Sequence, residues 1–319
     1  MINQVLVIGG AGYLGAAVVE SLKQLETNFT VFDNLSYVDT YLDNVPFVRG
    51  DLRNKELLSD LIKSHNSVIW LGALVGDFCC DIDKGLTKSI NQTPLEWYGR
   101  NFPDKPIVFS STCSVMGAQP NAILTEDSPT LPLSTYAETK LGAEIALQKC
   151  SRAFIYRLGT LYGLNSKLGR IRSDLVLNTM TMKAVQSGYL TLYGGEEWRP
   201  LLCVRDIADF VAHTSISDLM PGTYNLAYGN YQVKDIARKV AEYTGAEIIY
   251  KPQPSKDLRN YRVSTEKARK VLGFSPQIPL EIGIAEIARI TKEGRIRDIN
   301  SFRHSNQLYM ERILGDKSI

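Results

Sequence analysis

Residues Gly9-Gly10-Ala11-Gly12-Tyr13-Leu14-Gly15 directly follow the apolar run Val5-Leu-Val-Ile8 and open a segment, Gly15–Leu25, with apolar residues at helical spacing. Missing Cβ atoms let the backbone turn tightly, approach a pyrophosphate and pack the coming helix close on the strand. The N–H groups at the helix start then face the phosphates. The glycine pattern alone is weak, and its strand–loop–helix setting is what makes it a dinucleotide site. Such a site constrains the fold to a parallel sheet covered by helices on both faces.

The next hundred residues keep that rhythm. Phe29–Phe32, Val45–Val48, Ser67–Trp70 and Ile107–Phe109 are β-branched or aromatic runs separated by helical patterns. Continuous apolar strands of this kind are buried on both faces. The expected fold is therefore α/β, a doubly wound parallel sheet of Rossmann type with a smaller C-terminal substrate lobe. The expected division is 1–165 for the cofactor half, with a return segment near 201–228, and 166–319 for the lobe. In the lobe, Asn178–Gly188, Val233–Thr244 and Glu281–Lys292 read as helices and Tyr193–Pro200 as a loop, while the tail beyond Arg295 carries no readable signal.

Composition narrows the partners. With 36 basic and 34 acidic residues the 319-residue chain has a net charge of +2, which gives no electrostatic reason to bind nucleic acid or an anionic membrane. No apolar run is long enough to span a bilayer, and the first residues read as a strand rather than a signal peptide. Cys79, Cys80, Cys113, Cys150 and Cys203 form no CxxC pair, so free thiols in a reducing cytoplasm are expected. His65, His213 and His304 have no partners at metal spacing, and no metal is expected.

Asp33 ends the second strand, 18 residues after Gly15, where a carboxylate binds the hydroxyls of an adenosine ribose. Its charge repels a 2′-phosphate and no arginine stands at 34 or 35, so the expected cofactor is NAD rather than NADP. Tyr136 and Lys140 are four residues apart in a segment with Ser134 or Thr135 available as its cap, which puts the phenol and the ammonium on one helix face. A nearby ammonium favours the phenolate of a tyrosine that is otherwise a poor base at neutral pH. Ser110-Ser-Thr-Cys-Ser114 supplies hydroxyls at the carboxyl edge of the sheet, where ligands of such folds bind.

With these residues in order, the chain resembles an extended short-chain dehydrogenase/reductase of the nucleotide-sugar epimerase/dehydratase group. The matching pieces are residues 9–15, Asp33-Asn34-Leu35, Gly50-Asp51-Leu52, Leu71-Gly72-Ala73, Asn91, Ser110–Thr112, Tyr136 with Lys140, Arg157–Gly163, and Arg199 with Val204–Asp206. The resemblance implies that Gly9, Gly12, Tyr13 and Leu14 cradle the pyrophosphate, and that Asp33 and Asn34 hold the adenosine. It implies that Asp51 and Leu52 flank the adenine, with Leu71, Ala73, Asn91 and Ser110 also at the cofactor. Lys140 would bond the nicotinamide ribose, Thr112 the reacting sugar oxygen, and Tyr136 would exchange the proton. Thr160, Asn178, Arg199 and Arg259 would face the substrate, a nucleoside-diphosphate sugar. A dimer packed through two helices of each subunit is usual in that family.

The departures from the pattern bear on function. Family 4,6-dehydratases carry acids at the two positions after the catalytic Thr, because eliminating water needs its own acid and base. Here these are Cys113 and Ser114. Met116 replaces a common Tyr, Trp70 a common His and Gly72 a common Ala; Thr160 stands in place of a common substrate-binding Asn. Pro254 takes the place of a second diphosphate Arg, for which Arg259 and Arg262 are the nearest substitutes. Cys113 reads as a core thiol rather than a catalytic acid. The expected activity is therefore NAD-dependent epimerisation of a nucleotide sugar through a transient keto sugar. The alternative is a dehydrogenase or keto-sugar reductase with net cofactor turnover. A non-catalytic dinucleotide sensor is disfavoured, because the chain retains both Tyr136 and Lys140.

Overall fold

The computed structural model describes residues 4–38, 41, 44–166, 169–252, 260–296 and 298–315. In chain order, β1 (Gln4–Ile8), α1 (Tyr13–Gln24), β2 (Asn28–Asp33), β3 (Phe47–Arg49), α2 (Lys55–Ser64) and β4 (Ser67–Trp70) come first. Three short helices follow, α3 (Asp77–Ile82), α4 (Lys84–Asn91) and α5 (Thr93–Asn101). Next are β5 (Ile107–Thr112), β6 (Gln119–Leu124), α6 (Thr135–Leu147), β7 (Ala153–Leu158) and β8 (Thr160–Tyr162). The remainder begins with α7 (Val176–Ser187), β9 (Tyr189–Tyr193), β10 (Trp198–Cys203), α8 (Val204–Ile216) and β11 (Gly222–Leu226). It continues with β12 (Gly229–Gln232), α9 (Val233–Thr244), β13 (Glu247–Lys251) and β14 (Tyr261–Val263), and closes with α10 (Glu266–Leu272), α11 (Leu280–Lys292) and α12 (Asn306–Gly315).

Seven strands make one parallel sheet in the order β11–β7–β5–β4–β1–β2–β3. Side chains alternate along β1: Val5 and Val7 point into the core under α1 and α8, Leu6 and Ile8 into the core under α2, α5 and α6. All four are fully buried, which is why this strand reads as unbroken apolar sequence. The fold is thus the doubly wound α/β class read from the sequence. Strand order reverses between β1 and β4, and it is there that such sheets open a ligand crevice.

The lobe is built on the three-stranded sheet β12–β10–β8 and the β13–β9 pair, with Tyr162, Leu177, Leu201, Ile236 and Ile284 in its core. Three sequence expectations shift. The third strand starts at Phe47 rather than Val45, since Pro46 has no N–H to give to the ladder and contributes only its carbonyl, to Val31 N at 2.8 Å. The loop expected at Tyr193–Pro200 shortens, because Trp198–Pro200 pair with β12. The tail is structured: α12 buries Met310 against Leu74, Cys79 and Cys80.

Candidate active site

The strands of the large sheet end at a cavity of about 510 Å³, within the size range of small-molecule sites. Gly9, at φ +86°, is in a backbone region that side chains disfavour, and a Cβ on it would come 2.5 Å from Gly72 N. A Cβ on Gly15 would collide with the Gly9 carbonyl. These glycines are therefore the only residues that keep the start of α1 open and seated on β1. Asp33 lies across from them, one carboxylate oxygen accepting from Ala11 N at 3.0 Å and the other from Leu35 N at 2.8 Å. Burial pushes its carboxyl up and these backbone N–H groups pull it back. The glycine turn and a fixed carboxylate with no arginine at 34 or 35 fit an NAD molecule.

Gly12, Tyr13, Leu14, Asn34, Leu52, Leu71 and Ala73 also line the cavity. Two of the expected cofactor residues do not. Asp51 turns to Arg53 at 2.6 Å, which holds its carboxyl below the usual range. Asn91 sits behind the wall, its amide accepting from Leu74 N at 2.8 Å and donating to Leu74 O at 2.9 Å, so it shapes the loop after β4 as a strand neighbour would.

Thr112, Tyr136 and Lys140 all line the cavity. Ser134 caps α6, accepting from Ala137 N at 3.2 Å, and thereby sets where Tyr136 and Lys140 point. Burial pushes the Tyr136 phenol up, with the nearby Asp77 adding to it, while Arg172 and a hydrogen bond from Thr112 work in the opposite direction. Lys140 is 2% exposed; its ammonium donates to Ser110 O at 2.7 Å and lies 4.7 Å from the Phe109 ring centroid. Burial lowers its pKa to about 8.

Because the folded pKa of Lys140 is depressed, the unfolded chain holds more protons between about pH 8 and pH 10.5, and this group's penalty on stability fades as pH rises through that window. Lys140→Met is expected to inactivate the protein yet stabilise it at pH 7 by up to ~3 kcal/mol, a gain that vanishes near pH 10. Urea unfolding of both proteins at matched cofactor loading checks this. A gain that is the same at pH 7 and pH 10 contradicts it.

Thr160, Arg199, Ser114 and Tyr261 also line the cavity. Ser114 Oγ and the Tyr261 hydroxyl are 3.1 Å apart. Cys113 is fully buried and its thiol donates to Arg157 O, so neither position after Thr112 presents an acid. Asn178 is not in the wall: its amide accepts from Gly163 N at 3.0 Å and donates to Arg172 O at 2.9 Å. Arg259 and Pro254 lie outside the described residues. Arg262 stacks on Trp198, with 5.1 Å between its guanidinium and the ring centroid.

Several wall residues escaped the sequence reading: Tyr37, Asp77, Arg170, Arg172, Asp174, Tyr261 and Asn306. Asp77 Oδ1 accepts from Ser134 Oγ at 2.5 Å, which links it to the cap of α6. The alternation Arg170-x-Arg172-x-Asp174 was the one visible signal, since charges at such spacing in a loop need an explanation. Among the described residues no helix is long and apolar enough to cross a membrane and no group of three His, Cys, Asp or Glu is placed to hold a metal. All five cysteines are free and buried.

The comparisons agree with this geometry. A sequence profile of the NAD dependent epimerase/dehydratase family matches residues 5–227. A UDP-glucose 4-epimerase of Halalkalibacterium halodurans is 29% identical, covering 86% of this chain and 91% of its own. A dTDP-glucose 4,6-dehydratase of Streptomyces niveus is 23% identical over 92% of this chain and 94% of its own. The crystal structure of the Thermus thermophilus UDP-glucose 4-epimerase in complex with NAD superposes with a TM-score of 0.75 at 26% identity, covering 91% of this chain and 99% of that one. A chain with this sheet, this glycine turn and this Thr–Tyr–Lys cluster belongs to the NAD-dependent epimerase/dehydratase family of extended short-chain dehydrogenase enzymes.

Proposed function

We propose that this enzyme inverts a hydroxyl-bearing carbon of a nucleoside-diphosphate sugar through a transient keto sugar. The observation that carries the reading is that Thr112, Tyr136 and Lys140 converge on an NAD-type cleft while Cys113 and Ser114 offer no acid for elimination of water. NAD bound in the cleft supplies a reversible hydride acceptor and, in its oxidised ring, a positive charge. Tyr136 takes the proton of the sugar hydroxyl, and later returns it. Lys140 makes that possible by offsetting the cost of a buried phenolate, and Thr112 donates to the oxygen on which charge develops. Arg199 holds the substrate's diphosphate with its guanidinium fork.

In this reading residues 1–165, with a return segment near 201–228, serve the cofactor, and the rest of 166–319 the sugar nucleotide. The reading also takes the enzyme to be cytoplasmic, which five unpaired thiols support. Ile145 on α6 and Ile82 on α3 are exposed, and this supports a homodimer packed through helices. The named relatives make UDP-glucose and UDP-galactose the first pair to try. Proton NMR of the purified enzyme with UDP-galactose is expected to show the C4-inverted sugar appearing with no net change in NADH absorbance. Steady NADH accumulation assigns a dehydrogenase instead. No inverted product from any of a panel of sugar nucleotides rejects the proposal.

A further inference from the structure

The loop between β8 and α7 brings Arg170, Arg172 and Asp174 to the cleft wall, two positive charges against one negative. Asp174 is fully engaged: Oδ1 accepts from Arg172 Nε at 2.5 Å and Oδ2 from Asn306 N at 2.8 Å. Arg170 is 8% exposed and contacts no carboxylate among the described residues. Its Nε donates to Arg303 O at 2.7 Å and Nη1 to Asn306 Oδ1 at 2.8 Å, with the guanidinium 3.8 Å from the Tyr37 ring centroid. Its Nη2 is buried without a partner. That nitrogen is closed off from the cleft, but two guanidinium groups against one carboxylate leave the cleft wall with a net positive charge, which an anion entering the cleft offsets.

The position of the pair selects the anion. Asn165 Nδ2 donates to Tyr13 O at 2.8 Å and to Arg170 O at 3.1 Å, which pins the arginine loop to the first turn of α1. The N–H groups of that turn are the ones that face a dinucleotide's phosphates. Arg172 lines the same cleft, together with Tyr13 and Tyr37. Arg199 is carried separately by β10.

We infer that Arg170 and Arg172 form a cationic cover over the cofactor's diphosphate, opposite the glycine turn, and that the start of α12 fastens this cover in place. Asn306 is the fastening: besides its bonds to Arg170 and Asp174, its Nδ2 donates to Val75 O at 2.7 Å in the loop after β4. Tyr309, one turn further along α12, sets its ring 4.5 Å from Tyr37. The cofactor is thereby held from both sides and exchanges slowly. The inference rests on NAD occupying the cleft and not on which sugar reacts, so it stands or falls apart from the epimerase assignment.

The test is exchange of bound NAD for isotopically labelled NAD in the purified full chain, read by mass spectrometry of the released nucleotide. UDP binding is measured in parallel by calorimetry. Arg172→Gln and Arg170→Lys are each expected to speed NAD exchange by about ten-fold or more with UDP affinity unchanged, since losing one member of a buried charge contact acts mainly on dissociation. Arg170→Lys keeps the charge while losing the fork and the stacking, which covers the case in which a neutral residue there does not fold. Circular dichroism melting confirms that both variants are folded. Unchanged NAD exchange in the folded variants overturns the inference. So does weakened UDP binding with NAD exchange unaltered, which assigns the arginines to the substrate's diphosphate.

Discussion

Replacing Tyr136 with phenylalanine lowers kcat by about 10²–10⁴-fold, the range ascribed to a positioned acid–base group, while the folded enzyme keeps its NAD. The phenol's oxygen is the only atom removed, and the ring that packs against Leu74 and Met310 stays. Burial already pushes this phenol's pKa upward, so the site invests its cationic neighbours in one proton transfer. Steady-state rates with the active sugar nucleotide, together with NAD content released on denaturation, check the result. A variant retaining a tenth or more of the activity moves the proton transfer to another group, with Asp77 next in line by its place in the wall.

The second large effect is on stability. Glu144 on α6 has a fully buried side chain and accepts from Arg157 Nε at 3.1 Å on both oxygens, from Arg157 Nη2 at 2.8 Å, and from the Ser111 hydroxyl. Arg157 in turn donates to Glu126 O at 3.3 Å, and Glu126 accepts from Asn225 N at 2.8 Å in β11. Two buried charges with all lone pairs used tie β5, β7, β11 and α6 together directly beneath Thr112 and Lys140. Glu144→Ala leaves the guanidinium buried and unpaired, and is expected to cost about 3–5 kcal/mol. Chemical denaturation of both proteins measures it. A loss under about 1 kcal/mol would mean that water or a neighbour satisfies Arg157, as an exposed pair allows.

The glycine turn, Asp33, and the Thr112–Tyr136–Lys140 set were legible because each is a local pattern with one physical use. Strand against helix was legible too, since a strand buried on both faces, such as Val5–Ile8, has no polar residue to confuse the reading. What was lost depended on distance along the chain. Arg170 and Asn306 are 136 residues apart, and nothing in either segment announces the other. The tail was unreadable for the same reason: Met310 is buried against a pocket made by Leu74 and the Cys79–Cys80 pair, far back along the chain. Asn91 and Asn178 matched family positions, but each amide is spent on backbone groups beside the cavity rather than in it. A polar residue that supports a loop and one that touches a ligand look alike in sequence.

The passage from β7 to β8 has a mechanical consequence. Only Gly159 separates a strand of the large sheet from a strand of the lobe, and a Cβ there would come 2.9 Å from Pro200 O. β8 pairs with β10 inside the lobe and β7 with β11 inside the large sheet, so what the one-residue link fixes is the spacing of the two bodies at that point. Any relative motion of the two must pivot near Gly159 rather than open there. Leu158, Gly159 and Thr160 line the cavity, so its wall there cannot draw back from the sheet. In the proposed reaction the keto sugar turns over beside that stretch, so a bulky substituent that fits the cavity at rest can still fail in the volume swept by the rotation.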